Sequence, residues 1–144
     1  LLDFGCVKRF DEFWIGRYCR IAQAAIDGDR ELALAESREM GALVGKNQKA
    51  EDALWRFFDA LAGHLRRGPI HLGTDEDDII ETMRPVGRAL GNHPSVRVPP
   101  DVIFLHRSLG GIYSIAKRMQ PVIDPGSLFE EVCEEAIARA EGRA

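Results

Sequence analysis

The chain has 144 residues, 45% of them hydrophobic and 29% charged, with a formal net charge of −4 and a pI near 5.6. That length supports one domain with a core of its own. The acidic balance argues against nucleic-acid binding as the main task, and no apolar run approaches the length needed to span a bilayer.

The chain opens on Leu1-Leu2-Asp3-Phe4-Gly5-Cys6-Val7-Lys8, which reads as the end of an apolar strand followed by a turn. There is no initiator Met and no signal-peptide pattern, so the first residues are expected to be an interior cut of something longer. Asp3-Phe4-Gly5 has two readings. In one it is an ordinary turn, with Asp as side-chain acceptor and Gly at positive φ. In the other it is similar to the tripeptide by which protein-kinase-like enzymes deliver an aspartate to the magnesium on ATP. Mg²⁺ takes one or two hard carboxylate oxygens and fills its shell with phosphate and water. The aspartate must leave a rigid element pointing at the phosphates, and a following glycine lets the backbone turn away.

Almost everything after this segment reads as helix. Phe10, Phe13, Trp14, Arg17, Tyr18, Ile21, Ala22 and Ala25 recur at three- and four-residue steps and form one helical face. Asp27-Gly28-Asp29 breaks that helix, and Asp29 caps a second helix running to Glu39, ended by Met40-Gly41. After a loop around Gly45-Lys46-Asn47, a third helix carries Leu54, Phe57, Phe58, Leu61, Ala62 and Leu65 and stops before Gly68-Pro69. Thr74 is expected to start a fourth helix with the acidic first turn Asp75-Glu76-Asp77-Asp78. Thr74 and Asp77 form a near capping box, and the negative charge suits the positive end of the helix dipole. Clustered carboxylates also permit a metal site, which is the less favoured reading of that run.

Gly91 through Pro100 reads as a connector too short to separate two domains. A fifth helix follows, with Val102, Leu105, Leu109, Ile112, Tyr113, Ala116 and Met119 on one face. Gly110-Gly111 in its middle costs about 1 kcal/mol per glycine relative to alanine, which suggests close helix packing or a bend. A last helix starts at Ser127, in a capping box with Glu130, and buries Leu128, Val132, Cys133, Ala136 and Ile137. The fold class expected is all-α, about six helices with a short N-terminal strand remnant, in a single domain over 1–144.

Cys6, Cys19 and Cys133 are odd in number and widely spaced, without a Cys-x-x-Cys pair. A disulfide framework or zinc site is not expected, and a reducing cytosol is the simpler inference. His64, His71, His93 and His106 contain no i, i+4 pair for a helical metal site and read as surface or hydrogen-bonded structural residues. Arg66-Arg67 and Lys117-Arg118 read as charges near helix C-termini.

An Asp-Phe-Gly turn leading within a few residues into helix, with no Ala-Pro-Glu and no hydroxyl-bearing side chain between Gly5 and Tyr18, resembles the UbiB (AarF-like) family of atypical kinases. A second, looser match is Leu105-His106-Arg107-Ser108-Leu109-Gly110-Gly111-Ile112-Tyr113, similar to a late helix of that family. The resemblance implies the C-terminal lobe of a protein-kinase-like fold, ATP and Mg²⁺ as ligands, and a link to ubiquinone or isoprenoid-lipid metabolism. It implies Asp3 as metal ligand, with Phe4 as the motif's packing residue and Gly5 as its hinge. Arg107 reaches either the site or the lobe interior, or forms a salt bridge on the helix surface. A cytoplasmic location, peripheral to a membrane or in contact with lipid, goes with this reading. The phosphate-covering loop, the nucleotide-binding lysine and its glutamate, and the catalytic-loop Asp and Asn are expected upstream of Leu1, leaving this chain inactive alone.

Two other functions fit the residues. One is a helical binding module whose aromatic faces (Phe10, Phe13, Trp14, Tyr18; Trp55, Phe57, Phe58) hold a partner helix, a prenyl lipid or a second copy. The other is a lobe of another small-molecule phosphotransferase.

Overall fold

The computed structural model describes residues 7–142. Asp3, Phe4, Gly5, Cys6 and the expected strand remnant lie outside the described residues. Six helices follow in order: α1 (Glu12–Asp27), α2 (Arg30–Glu39), α3 (Gln48–Leu65), α4 (Ile79–Gly91), α5 (Pro100–Met119) and α6 (Pro125–Ala140). Two short strands, β1 (Ile70–His71) and β2 (Val122–Ile123), pair antiparallel with Ile70 opposite Ile123 and His71 opposite Val122. The domain is therefore all-α with a small internal strand pair. Strands of two residues are too short for their alternation to be seen in the sequence.

The first three helices begin and end where local chemistry dictates. Asp11 caps α1 through the Phe13 and Trp14 N–H groups, and Gly28 ends it in the left-handed region at φ 77°. Asp29 accepts from the Leu32 N–H to start α2, and Asn47 accepts from the Ala50 N–H to start α3. Leu34, Leu43, Ala50, Ala53, Leu54 and Leu90 form the core cluster, with Phe57, Phe58 and Val96 packed against it.

α1 and α6 pack closely over Gly16, where an added Cβ would overlap the Ala140 Cβ and lie 3.4 Å from the Ala136 carbonyl. Arg17 and Arg20 of α1 share Glu36 of α2 at 2.8 and 3.2 Å, which ties the first two helices together.

Two helix starts differ from the sequence expectation. α4 begins at Ile79 rather than Thr74. The acidic run is occupied elsewhere: Glu76 accepts from the His71 N–H, Asp77 from the Gly73 N–H, and Asp78 from Arg67. The Thr74 hydroxyl donates to the His71 carbonyl and accepts from the Glu76 N–H, so it closes a turn instead of a capping box. α6 begins at Pro125, and its cap is Asp124, which accepts from the Gly126 and Ser127 N–H groups. Proline is favoured at a first helical position because its missing N–H costs nothing there, and that signal outranks Ser127.

The outer faces of α5 and α6 are also corrected. Both glycines of Gly110-Gly111 face open space, and α5 runs through them unbroken. No residue of α5 is buried, and Leu109, Ile112 and Met119 of its apolar face are exposed. On α6 only Cys133 is fully buried, while Leu128 and Val132 are exposed.

Candidate functional site

The residues just downstream of Asp3-Phe4-Gly5 are fastened to α5. Lys8 is ion-paired with Asp101 in the first turn of α5, and its ammonium lies over the Phe10 and Phe104 rings, 5.6 and 5.9 Å from their centroids. Trp14 and Tyr18 lie one turn apart on one side of α1, and Phe10, two residues before the helix, continues the row. Their rings stack in sequence, with centroids 5.3 and 5.7 Å apart.

This aromatic ladder meets α5 at both ends. Phe10 lies edge-on to Phe104 at 6.2 Å, and the Tyr18 hydroxyl is hydrogen-bonded to His106 Nε2 at 2.8 Å. Burial pushes the Tyr18 hydroxyl up to about 12, with the Cys19 and Cys133 sulfurs adding to the shift. Burial also holds His106 below its ordinary value. Both groups are therefore neutral near pH 7. The chain leaving the opening segment and the Leu105–Tyr113 segment, which carry the two parts of the resemblance, thus lie against each other. Arg107 is exposed and forms no ion pair among the described residues.

Behind Tyr18 and His106 is a cavity of about 300 Å³. Ile21 and Ala25 of α1, Phe57 and Leu61 of α3, Leu90 of α4 and Val102 of α5 line it. Its wall is mostly apolar, with Tyr18, Ser37, Arg97 and His106 as the polar residues of the lining. That volume is at the lower end for a small-molecule pocket.

A second polar cluster lies beside β1. The Asp77 carboxylate has no exposed surface, accepts from the Gly73 N–H at 2.9 Å and from the Tyr113 hydroxyl, and pairs with Lys117 at 3.4 Å. Burial raises its pKa, but the bonds from Tyr113 and Gly73 and the Lys117 charge outweigh that and hold it below the ordinary carboxylate value. Gly73 is required here. Its φ is +75°, and an added Cβ would lie 2.5 Å from the Lys117 carbonyl.

Arg67 donates to Asp78 at 2.5 Å, and His64 Nδ1 lies 3.5 Å from the same carboxylate. His64 itself is buried, with Nε2 lacking a hydrogen-bond partner among the described residues. It is thus neither a surface histidine nor a fully satisfied one. These acids serve structure: among the described residues no group of three or more His, Cys, Asp or Glu side chains is placed to hold a metal ion. A magnesium ligand from the sequence reading rests on Asp3, outside the described residues.

Burial first, then the Arg67 charge, depress the His64 pKa below 6.5, with Asp78 and Asp77 opposing. The unfolded chain then binds the proton more readily than the folded one. Stability from His64 is complete above about pH 6.5 and is lost as the pH falls towards its folded-state value, with His106 acting in the same direction. Urea midpoints are expected to drop between pH 7 and pH 5, and His64→Leu should flatten that drop without lowering the pH 7 midpoint. An unchanged slope in the variant would remove His64 as its cause.

No helix among the described residues is long and apolar enough to cross a membrane. No protein-family model matches the chain. It is 27% identical over 143 residues, 99% of its length, to the mitochondrial atypical kinase coq-8 of Caenorhabditis elegans, covering 19% of that protein. Against the mitochondrial atypical kinase COQ8B of Rattus norvegicus it is 30% identical over 138 residues, 91% of the chain and 25% of the relative. Against the mitochondrial atypical kinase COQ8 of Saccharomyces cerevisiae it is 29% identical over 137 residues, 92% of the chain and 27% of the relative. The chain therefore spans about a fifth to a quarter of the length of the curated relatives it matches. Similarity that runs along nearly the whole chain to several such proteins makes it a distant homologue, at the level of the family, of the UbiB/COQ8 atypical kinases.

Proposed function

We propose that this chain is the helical C-terminal lobe of a UbiB-like ATP-dependent enzyme, with Asp3 as a ligand to the magnesium on ATP. The observation that supports this most is the similarity to an atypical kinase over 99% of the chain. Magnesium held by Asp3 would supply charge neutralisation for the phosphates undergoing transfer. By the family resemblance, Asp3 would supply a hard carboxylate oxygen, with Phe4 as the motif's packing residue and Gly5 as its hinge. Lys8 on Asp101 and Phe10 on Phe104 fasten the start of the described chain to α5. Catalysis of phosphoryl transfer is largely positioning plus charge neutralisation. By the same family resemblance, the enzyme serves ubiquinone or isoprenoid-lipid metabolism.

The phosphate-covering loop, the lysine–glutamate pair and the catalytic-loop Asp and Asn have no assigned counterpart in these 144 residues. One magnesium ligand does not replace them, so the purified 144-residue chain is expected to turn over no ATP. Magnesium-dependent ATP hydrolysis by that chain would contradict the proposed division of labour.

A second reading is a self-association or lipid-contact module. Ile112, Ile115 and Met119 of α5 are 64%, 65% and 75% exposed, which favours a partner for that face. A monomer in dilute solution that fails to bind lipid vesicles would count against this reading and leave the first intact.

A further inference from the structure

Cys19 of α1 and Cys133 of α6 meet across the α1–α6 contact. They are 4% and 1% exposed, and neither is in a disulfide. The helices are held close by Gly16, one turn before Cys19, whose hydrogen faces Ala140 and Ala136. Cys19 lies one turn after Gly16 and Cys133 one turn before Ala136, so the close approach of Gly16 to Ala136 and Ala140 brings the two buried thiols to the same seam. A bond from the Cys133 S–H lowers the Cys19 thiol, against burial and with help from the Arg20 charge, and the same bond and burial push Cys133 up. Of the two sulfurs, Cys19 is thus the easier to ionise. Widely spaced in sequence, they read as unrelated until the helices are placed.

We propose that Cys19 and Cys133 form a peroxide-oxidisable dithiol whose disulfide staples α6 to α1. The Cys19 thiolate attacks one peroxide oxygen, the O–O bond breaks, and the departing hydroxide takes a proton to become water. Cys19 is then a sulfenic acid. The Cys133 sulfur attacks it, the S–S bond forms and the S–O bond breaks, and the hydroxyl leaves with the Cys133 proton as a second water. Two thiols and one peroxide become one disulfide and two waters.

Two structural features favour this outcome. Cys133 is the only fully buried residue of α6, so a local fluctuation of that helix is enough to admit a water-sized oxidant. Adjacent thiols on two packed helices also let the second sulfur intercept the sulfenic acid before it is oxidised further. The link would close a loop of roughly a hundred residues, restricting the unfolded chain more than a short loop does.

The test uses the 144-residue chain and its Cys6→Ser variant, each titrated with hydrogen peroxide and digested without reduction. Both should lose the mass of two hydrogens, give a Cys19–Cys133 cross-linked peptide, and melt at a higher temperature until dithiothreitol is added. In Cys133→Ala, Cys19 should instead be trapped by dimedone with no internal cross-link. If that variant does not fold, the cross-link map of Cys6→Ser decides alone. Recovery of Cys19 and Cys133 as free thiols, or as sulfinic acids without a cross-link, would overturn the proposal.

Discussion

Gly16→Ala is expected to destabilise the protein by about 1–3 kcal/mol, the usual cost of forcing a methyl group into a packed interface. An alanine in mid-helix normally gains about 1 kcal/mol over glycine, so the predicted sign is the reverse of propensity. The reason is local: the new Cβ would overlap the Ala140 Cβ and press on the Ala136 carbonyl. Gly110→Ala and Gly111→Ala provide the control. Nothing lies within 4 Å of a Cβ at either position, so each should stabilise by about 1 kcal/mol. Pairing Gly16→Ala with Ala140→Gly should recover part of the loss. Chemical denaturation of these four variants and the unmodified protein measures all of these, and a stabilising Gly16→Ala would mean that α1 and α6 do not pack as described.

Asp77→Ala is expected to cost about 3 kcal/mol, because it strips partners from a buried donor set. The Gly73 N–H, the Tyr113 hydroxyl and the Lys117 ammonium all converge on that carboxylate. Lys117 is partly exposed and recovers water, so the larger share comes from the other two donors. Asp77→Asn keeps an acceptor oxygen and should cost less. The native pKa lies below the ordinary carboxylate value of 3.8. The contribution is therefore present above about pH 3.8 and is lost as the pH falls through the lower folded-state value. Urea midpoints measured from pH 6 to pH 3 should fall less in Asp77→Asn than in the unmodified protein. Equal acid sensitivity would separate Asp77 from the junction between β1 and α5.

The contrast between these sites shows what the sequence discloses. Gly28, Asp29 and the first helical face were legible because caps and periodicity act over neighbouring residues. Thr74 was misread because Glu76, Asp77 and Asp78 are claimed by partners on other segments, which no local pattern announces. The α6 start was legible in principle, since Asp124-Pro125 is itself a start signal, but Ser127 and Glu130 offered a competing one. Gly110-Gly111 suggested close packing, yet its neighbours are solvent in this chain. Of the candidate site, the aromatic period of Phe10, Trp14 and Tyr18 was visible. Its meeting with Phe104 and His106 was not, because those pairs join segments roughly ninety residues apart. The burial of His64, with Nε2 lacking a hydrogen-bond partner among the described residues, had no sequence signal.

The proposed role of Asp3 rests on the resemblance of the opening segment and on the similarity to atypical kinases along nearly the whole chain. The most direct measurement is thermal stabilisation by Mg-ATP of the protein that carries this lobe together with its catalytic loop, compared with its Asp3→Asn variant. The unmodified protein should melt at a higher temperature with Mg-ATP than without, and Asp3→Asn should lose that shift while melting normally in its absence. An unchanged Mg-ATP shift in the variant would contradict the assignment of Asp3 as the magnesium ligand.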